Sequence, residues 1–310
     1  MDTGSCTAVT VGECTDLWYV DTGMYDTSGY GAAYILGGTA PAIVETGIGT
    51  NHDRILEALE ALEIAPEAVE TIAVTHIHLD HAGGAGFLAE ACPNADVAVH
   101  HVGAPHLVDP GRLVEGTKAA VGDQWQYYVE PKPVPEDRIV ELEGGDELDL
   151  GSYSIRAHDA PGHAPHQLVF ELPEMDALFT GDAAGIWIPP LERIRETSPP
   201  AQFSLEGCLD DLETIASIDP DVLLYTHFGP RDVRNSLESA LEAYERTLTT
   251  WVNRVETCRG ELEDDNAVVE TLAADADPTL FEVWGEEKTR AETAMNVRGV
   301  LGYLDWKTST

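Results

Sequence analysis

Thr75-His76-Ile77-His78-Leu79-Asp80-His81-Ala82-Gly83-Gly84 directly follows the apolar run Thr71-Ile72-Ala73-Val74. The β-branched run reads as a buried strand, and Gly83-Gly84 before Gly86-Phe87-Leu88-Ala89-Glu90 reads as the start of a helix. The polar residues therefore occupy a strand-to-helix turn, the usual place of active sites in α/β proteins. In an extended segment residues two apart project the same way, so His76 and His78 are predicted to offer ring nitrogens to one metal ion. Asp80 and His81, where the chain bends, are predicted to face a neighbouring point. Four metal-competent side chains within six residues point to metal chemistry rather than to a polar surface turn.

Working outward, the same grammar recurs: a short apolar strand, then at once a residue able to bind metal. On the amino-terminal side, Leu17-Trp18-Tyr19-Val20, Ala32-Ala33-Tyr34-Ile35-Leu36 and Pro41-Ala42-Ile43-Val44-Glu45 read as an antiparallel meander with glycine-rich turns. The 51–62 segment has helical spacing at Ile55, Leu56, Leu59 and Leu62, with Thr50 or Asn51 placed to cap it. Asp96-Val97-Ala98-Val99 forms a strand ending at His100-His101. Residues 103–135 show no steady period and include Trp125, Tyr127 and Tyr128; they read as a partly helical excursion placed to cover a site. Strands at 138–142 and 154–157, joined by the acidic Gly144-Gly145 turn, deliver the chain to Pro161-Gly162-His163. The pair 168–172 and 177–180 ends at Gly181-Asp182, a helix follows over 204–216, and Val222-Leu223-Leu224-Tyr225 ends at Thr226-His227. From Arg231 onward the pattern is helical, which divides the chain into a domain over 1–230 and a helical carboxy-terminal extension over 231–310.

The set His76-x-His78-x-Asp80-His81, then His163, Asp182 and His227 in that order, each at a strand end, resembles the metallo-β-lactamase superfamily and within it the glyoxalase-II-like hydrolases. The resemblance spans about 17–230 and implies a four-layered αβ/βα sandwich with metals at one edge of the inner sheets. It implies that His76, His78 and His163 hold a first metal, that Asp80, His81 and His227 hold a second, and that Asp182 bridges them. Imidazole and carboxylate donors suit two zinc ions, with iron or manganese also accommodated, and the absence of cysteine removes the softest sites. Two ions roughly 3.5–4 Å apart share a water, making a bridging hydroxide the nucleophile. Asp80 then has the catalytic role of orienting that hydroxide or accepting its proton.

Departures narrow the subgroup. His78 stands where many flavodiiron proteins have glutamate, and Gly185 and Ile186 stand where quorum-lactone hydrolases carry a tyrosine. The basic residues with which glyoxalase II grips glutathione have no evident counterpart. Glu45 stands at a ligand-orienting position, or is a plain surface acid. His166 is read as a structural histidine, Arg231 as a surface partner or a carboxylate acceptor, and His100 and His101 as outside the ligand set. Trp125, Tyr127, Tyr128 and Trp187 are read as core, with pocket lining the alternative, in which the aromatic residues of the 103–135 excursion supply apolar walls. The expected activity is hydrolysis of a small-molecule ester, thioester or lactone. The alternatives are a mononuclear iron oxidoreductase of the persulfide-dioxygenase type and a phosphodiesterase or ribonuclease.

Composition sets the limits. The net charge is −39, from 56 acidic against 17 basic residues in 310, and acids recur in 57–70, 141–149 and 261–265. Scarce lysine on a pervasively acidic surface reads as adaptation to a halophile's cytoplasm, where the Debye length is about 3 Å, with an acidic surface that binds a basic partner as the alternative. Such a surface argues against nucleic acid as partner. Five dispersed cysteines without a Cys-x-x-Cys pair indicate reduced thiols. Met1-Asp2-Thr3-Gly4-Ser5 lacks a targeting pattern and no run spans a bilayer, so a cytoplasmic protein free of membranes is expected. The carboxy-terminal helices are read as packing or dimerisation elements, the latter implying a homodimer.

Overall fold

The computed structural model describes residues 6–262 and 264–309; the amino-terminal stretch read above, Met1 to Ser5, lies outside them. Two sheets face each other. The first runs β1 (Cys6–Ala8), β2 (Leu17–Asp21), β3 (Ala32–Leu36), β4 (Ala42–Val44), β5 (Thr71–Ala73), β6 (Asp96–His100) and β7 (Ile139–Leu142) in spatial as in chain order. It is antiparallel up to β4, as the meander predicts, and parallel beyond. The second takes β8 (Glu147–Asp149), β9 (Ser154–Asp159), β10 (Leu168–Leu172), β11 (Ala177–Gly181), β14 (Val222–Tyr225) and β15 (Gly229–Asp232). A hairpin of β12 (Ile186–Ile188) and β13 (Arg193–Arg195) stands apart.

Side-chain alternation builds the layers. In β3 every residue is buried: Ala32, Tyr34 and Leu36 point between the sheets, while Ala33 and Ile35 point to helices α1 (Asp53–Ala61) and α3 (Ala85–Ala91). In β14, Val222 and Leu224 face the sandwich interior, whereas Leu223 and Tyr225 face α6 (Leu205–Ile218) and the carboxy-terminal helices. Strands apolar on both faces require cover on both, and that gives the four-layered αβ/βα sandwich. At roughly 1.5–3 kcal/mol for each large aliphatic side chain fully buried, these clusters outweigh local propensity in fixing the register.

Between β6 and β7 the chain forms α4 (Ala104–Val108) and α5 (Gly111–Val121), the partly helical excursion expected. Past β15 it forms α7 (Leu237–Leu262), α8 (Asp265–Ala274), α9 (Phe281–Trp284) and α10 (Glu286–Ser309). No helix among the described residues is long and apolar enough to cross a membrane. Buried residues of α7, α8 and α10 share one hydrophobic cluster with β10, β14 and α6.

Local details differ from the sequence expectation. Asn51 and Thr50 do not cap α1, because Asn51 Nδ2 donates to the Thr22 carbonyl (2.7 Å) and Thr50 Oγ1 to the Tyr127 carbonyl (2.6 Å); His52 holds the cap position. The Gly144-Gly145 turn carries the chain from the first sheet to the second, and it leads first into β8, which the sequence reading did not separate. The helical pattern starts later than Arg231, since Arg231 and Asp232 pair with Leu223 and Val222 in β15. Strands β8, β12, β13 and β15 are three or four residues long, too short to show a period.

Candidate metal centre

Strand direction places the functional side chains. β11 and β14 are parallel, and β9, antiparallel to β10, points the same way, so all three end at one edge. There Leu168 N donates to the Thr75 carbonyl (2.8 Å) and ties that edge to the end of β5. His76 and His78 follow β5, and Asp80 and His81 lie on the short helix α2 (Leu79–Ala82). His163 follows β9, Asp182 follows β11 and His227 follows β14. Two glycines make the approach feasible. A Cβ on Gly181, whose φ is +48°, would meet Thr75 Oγ1 at 2.6 Å, and one on Gly162 would meet the backbone nitrogen of Cys208 at 2.1 Å. Glycine alone fits either position.

All seven residues named from sequence converge. His76 Nε2 lies 3.0 Å from His78 Nδ1, which lies 3.1 Å from His163 Nε2. Three nitrogens facing one another cannot all be satisfied by neutral imidazoles, which donate one proton each. They stand close to the roughly 3.3 Å spacing that tetrahedral Zn–N bonds of about 2.0–2.1 Å impose. Opposite them, His81 Nε2 and His227 Nε2 each lie 3.4 Å from Asp182 Oδ1, and Asp80 Oδ2 is 3.8 Å from His81 Nε2. The other oxygen, Asp182 Oδ2, is 3.5 Å from His163 Nε2. Asp182 thus turns one oxygen to each group.

Orienting contacts lie behind these atoms. Thr75 Oγ1 is 3.1 Å from His76 Nδ1, and the Tyr30 carbonyl is 2.9 Å from His227 Nδ1, so in both rings Nε2 points inward. Glu45 is 1% exposed and holds a left-handed φ of +70°, a strained state for a non-glycine residue. Its Oε1 accepts from the Thr75 hydroxyl, and its Oε2 faces His81 Nδ1 at 3.4 Å. The surface-acid alternative for Glu45 does not hold.

Electrostatics follow from crowding. Burial, then His81, His78 and His163, push His76 well below the usual histidine pKa, and burial with His163 and His166 does the same to His78. Burial opposes charge on His81, yet Glu45, Asp182 and Asp80 lift it well above the usual value. Burial also opposes charge on Asp182, but His163, His81 and His227 hold its carboxyl well below the carboxylate range. Asp182 Oδ1 and both ring nitrogens of His81 are buried without a hydrogen-bond partner. Each such atom costs roughly 1–3 kcal/mol unless something completes it, and divalent cations fit this nitrogen-and-oxygen donor set. Three overlapping groups qualify: His76, His78 and His163; His76, His81 and Asp182; Asp80, His81 and His227.

The cluster forms the floor of a cavity of about 770 Å³. His166 lines it, its Nδ1 3.5 Å from the Ile77 amide, and burial lowers its pKa to about 3. His100 and His101 end β6 outside the cluster; His100 Nδ1 accepts from Val102 N at 3.1 Å. Arg231 does not reach the site, because its guanidinium rests 3.6 Å from the centre of the Trp187 ring. Of the aromatic residues read as core, Tyr128 lines the cavity. Its hydroxyl bonds to that of Tyr25, and Lys288 lies 3.7 Å from the centre of the Tyr25 ring. Sequence reading missed Tyr25 and Tyr30, each outside any strand-end motif. It also missed the part of α10, read as a packing or dimerisation element, which contributes Glu292, Met295, Asn296 and Arg298 to the wall.

The family model of the metallo-beta-lactamase superfamily matches residues 26–227. The chain belongs to the metallo-β-lactamase superfamily. Superfamily members are largely metal-dependent hydrolases. The metallo-beta-lactamase fold-containing protein ST1585 of Sulfurisphaera tokodaii is 28% identical over 206 residues, 64% of this chain and 77% of that one. A hydroxyacylglutathione hydrolase of Erythrobacter litoralis is 28% identical over 223 residues, 68% and 72% of the two chains. An atrochrysone carboxyl ACP thioesterase of Aspergillus fumigatus is 28% identical over 152 residues, 48% of this chain and 38% of that one. The crystal structure of ST1585 superposes with a TM-score of 0.68 over 93% of this chain and 99% of that chain, at 22% identity. A B3 metallo-beta-lactamase with an active-site glutamic acid gives 0.57 over 78% and 88%, at 20% identity. These superpositions speak to the fold.

Proposed function

We propose that the chain is a dinuclear metal-dependent hydrolase of a small-molecule ester or thioester, lactones included, with zinc, iron or manganese as the native ion. The observation that most supports this reading is the division of the Asp182 carboxylate, one oxygen toward His163 and the other toward His81 and His227. His76, His78 and His163 would hold one ion, Asp80, His81 and His227 the other. Ions held there supply Lewis acidity, lowering the pKa of water toward about 7 and polarising the carbonyl under attack.

The chain's own groups do the rest. The Asp80 carboxylate, one-quarter exposed to the cavity, is placed to orient water or take its proton at an oxygen. Glu45 holds His81, and the Tyr30 carbonyl holds His227. Tyr25 and Tyr128 stay protonated because burial raises both well above the usual phenol range. Two phenols bonded to each other use only one of their two protons between them, leaving the second O–H free to donate to a ligand's oxygen or sulfur. Two relatives named for hydroxyacylglutathione hydrolysis and as an ACP thioesterase favour thioesters within the class.

Elemental analysis of purified protein, paired with turnover of short thioesters, aryl esters, lactones and bis-p-nitrophenyl phosphate, tests the proposal. Two ions per chain and acyl hydrolysis abolished by chelation are expected. A single iron per chain, or a clear preference for the phosphodiester, would overturn it.

A further inference from the structure

In a chain with 56 acidic residues, all but two of the 17 basic side chains engage a carboxylate, a backbone carbonyl or an aromatic ring. Among the described residues the two without such a partner are Arg112 and Arg298, and both line the cavity above the metal cluster. Arg112 is in the first turn of α5 and Arg298 is on α10, and both are exposed. A random arginine on so acidic a surface finds a carboxylate, so two unspent guanidiniums at one opening are informative.

Helix α5 adds a second, independent observation. Leu113, Gly116, Thr117, Ala120 and Val121 recur at helical spacing and all line the cavity, yet α5 buries none of its residues. An amphipathic helix normally covers its stripe against a core. Here Leu113 also packs against the hydrophobic cluster behind the first sheet, but the stripe as a whole lines the cavity together with Ile77, Leu79 and Val102, the last 45% exposed. The opposite wall is fixed: Asn296 Oδ1 accepts from Ser198 N at 2.9 Å, and Gly299 leaves no room for a Cβ against the Ser198 carbonyl. Arg298 therefore projects from a firmly docked helix.

We propose that the cavity takes an amphiphilic acyl substrate, its apolar chain along the α5 stripe and an anionic group, carboxylate or phosphate, held by Arg112 and Arg298. This deepens the hydrolase reading and rests on it. It also places basic side chains beside a site for which the sequence showed no evident counterpart of the residues that grip glutathione. The two arginines give a local positive potential on a molecule whose net charge of −39 repels anions.

Binding of non-hydrolysable analogues separates this subsite from catalysis. Titration calorimetry with 3-(octylthio)propanoate, its neutral amide and octylphosphonate, at one salt concentration, is expected to show the anions bound about tenfold more tightly than the amide. Arg112→Ala and Arg298→Ala should each remove most of that preference while leaving amide affinity within about twofold, with partial rescue by Arg298→Lys. The carboxylate and phosphonate arms tell which anion is preferred. Replacing octyl by ethyl should weaken all three, and less so in Leu113→Asn. Equal binding of anions and amide by the wild type overturns the proposal. So does a full preference retained in the double variant, which would send the anion to the metal cluster. A preference that obeys these rules while the metal-loaded protein leaves the matching thioester intact would uphold the subsite and refute the hydrolase reading.

Discussion

The floor of the cavity rests on seven side chains from the turns that follow β5, β9, β11 and β14, five of which face it while His76 and His81 lie buried beneath; its roof draws on α5, an insertion between two strands, and on α10 at the far end of the chain. Floor residues are mostly buried, held by one another and by Thr75, Glu45 and the Tyr30 carbonyl, and every one has a chemical type that few roles other than metal binding require. Apart from the buried Glu292 and Asn296, roof residues are exposed or half-buried and chemically ordinary: a leucine, the pair Ala119-Ala120, a methionine, two arginines. The family match covers residues 26–227, so it includes the whole floor and α5 but not α10. On the proposed reading, chemistry resides in the floor and substrate choice in the roof.

The largest effect should come from breaking the floor at its centre. Asp182→Ala removes the carboxylate between the two groups of nitrogens, and more than about a thousandfold loss of turnover is expected, with metal content falling in elemental analysis. A variant that kept both ions and its rate would end the assignment of Asp182 as bridge. Glu45→Gln should act less severely, lowering metal affinity about 10–100-fold in a competition titration against a chelating dye, because it weakens only the contact behind His81. Neither substitution should disturb binding of the anionic analogues by the roof.

Beneath the floor, Asp211 Oδ2 accepts from the Gly162 amide at 2.8 Å, and burial raises its pKa to about 7. The folded state therefore binds a proton that the unfolded chain releases near pH 4. Stability contributed by that proton is full below pH 4 and is lost as pH rises to about 7. Asp211→Asn keeps an acceptor for Gly162 without the titration. Thermal unfolding should show it more stable than wild type by on the order of 1–3 kcal/mol at pH 8, with the gain vanishing at pH 4. A constant difference across that range would exclude Asp211 as the titrating group.

Salt separates surface from floor. The acidic exterior predicts a melting temperature that climbs between dilute buffer and molar KCl, while affinity for metal, held by buried atoms, changes little. Equal stability at both ends would remove the halophilic reading. The smallest effect belongs to Arg231→Ala: with its guanidinium on Trp187, it should leave KM for anionic substrates within about twofold, in contrast to Arg112→Ala.

Legibility in the sequence follows the same division. His76, His78, Asp80 and His81 could be read because they are close together in the chain, Asp182 and His227 because each follows a strand of unmistakable apolar content, and His163 because it closes Pro161-Gly162-His163 in the matching order. Glu45 was half legible: its place after β4 was clear, its burial beside His81 was not, since β4 and β5 pair only through parallel register. Tyr25 sits in an irregular turn with left-handed backbone and gave no period to read. The true course of Arg231 depended on β15, whose four residues begin with glycine and proline. The stripe on α5 looked aperiodic because its small residues, Gly116 and Ala120, carry little hydrophobic signal.

By itself the sequence determined the family, the sandwich and which residues make up the candidate metal floor, since these rest on strand alternation and on a clustering of histidine and aspartate at strand ends. Only the tertiary structure decided that α5 and α10 meet over that floor, that Asp182 divides its oxygens, and that Arg112 and Arg298 are the basic side chains without a partner among the described residues. Those facts are distances between residues remote in the chain, set by how helices pack on the two sheets, and no local pattern encodes them.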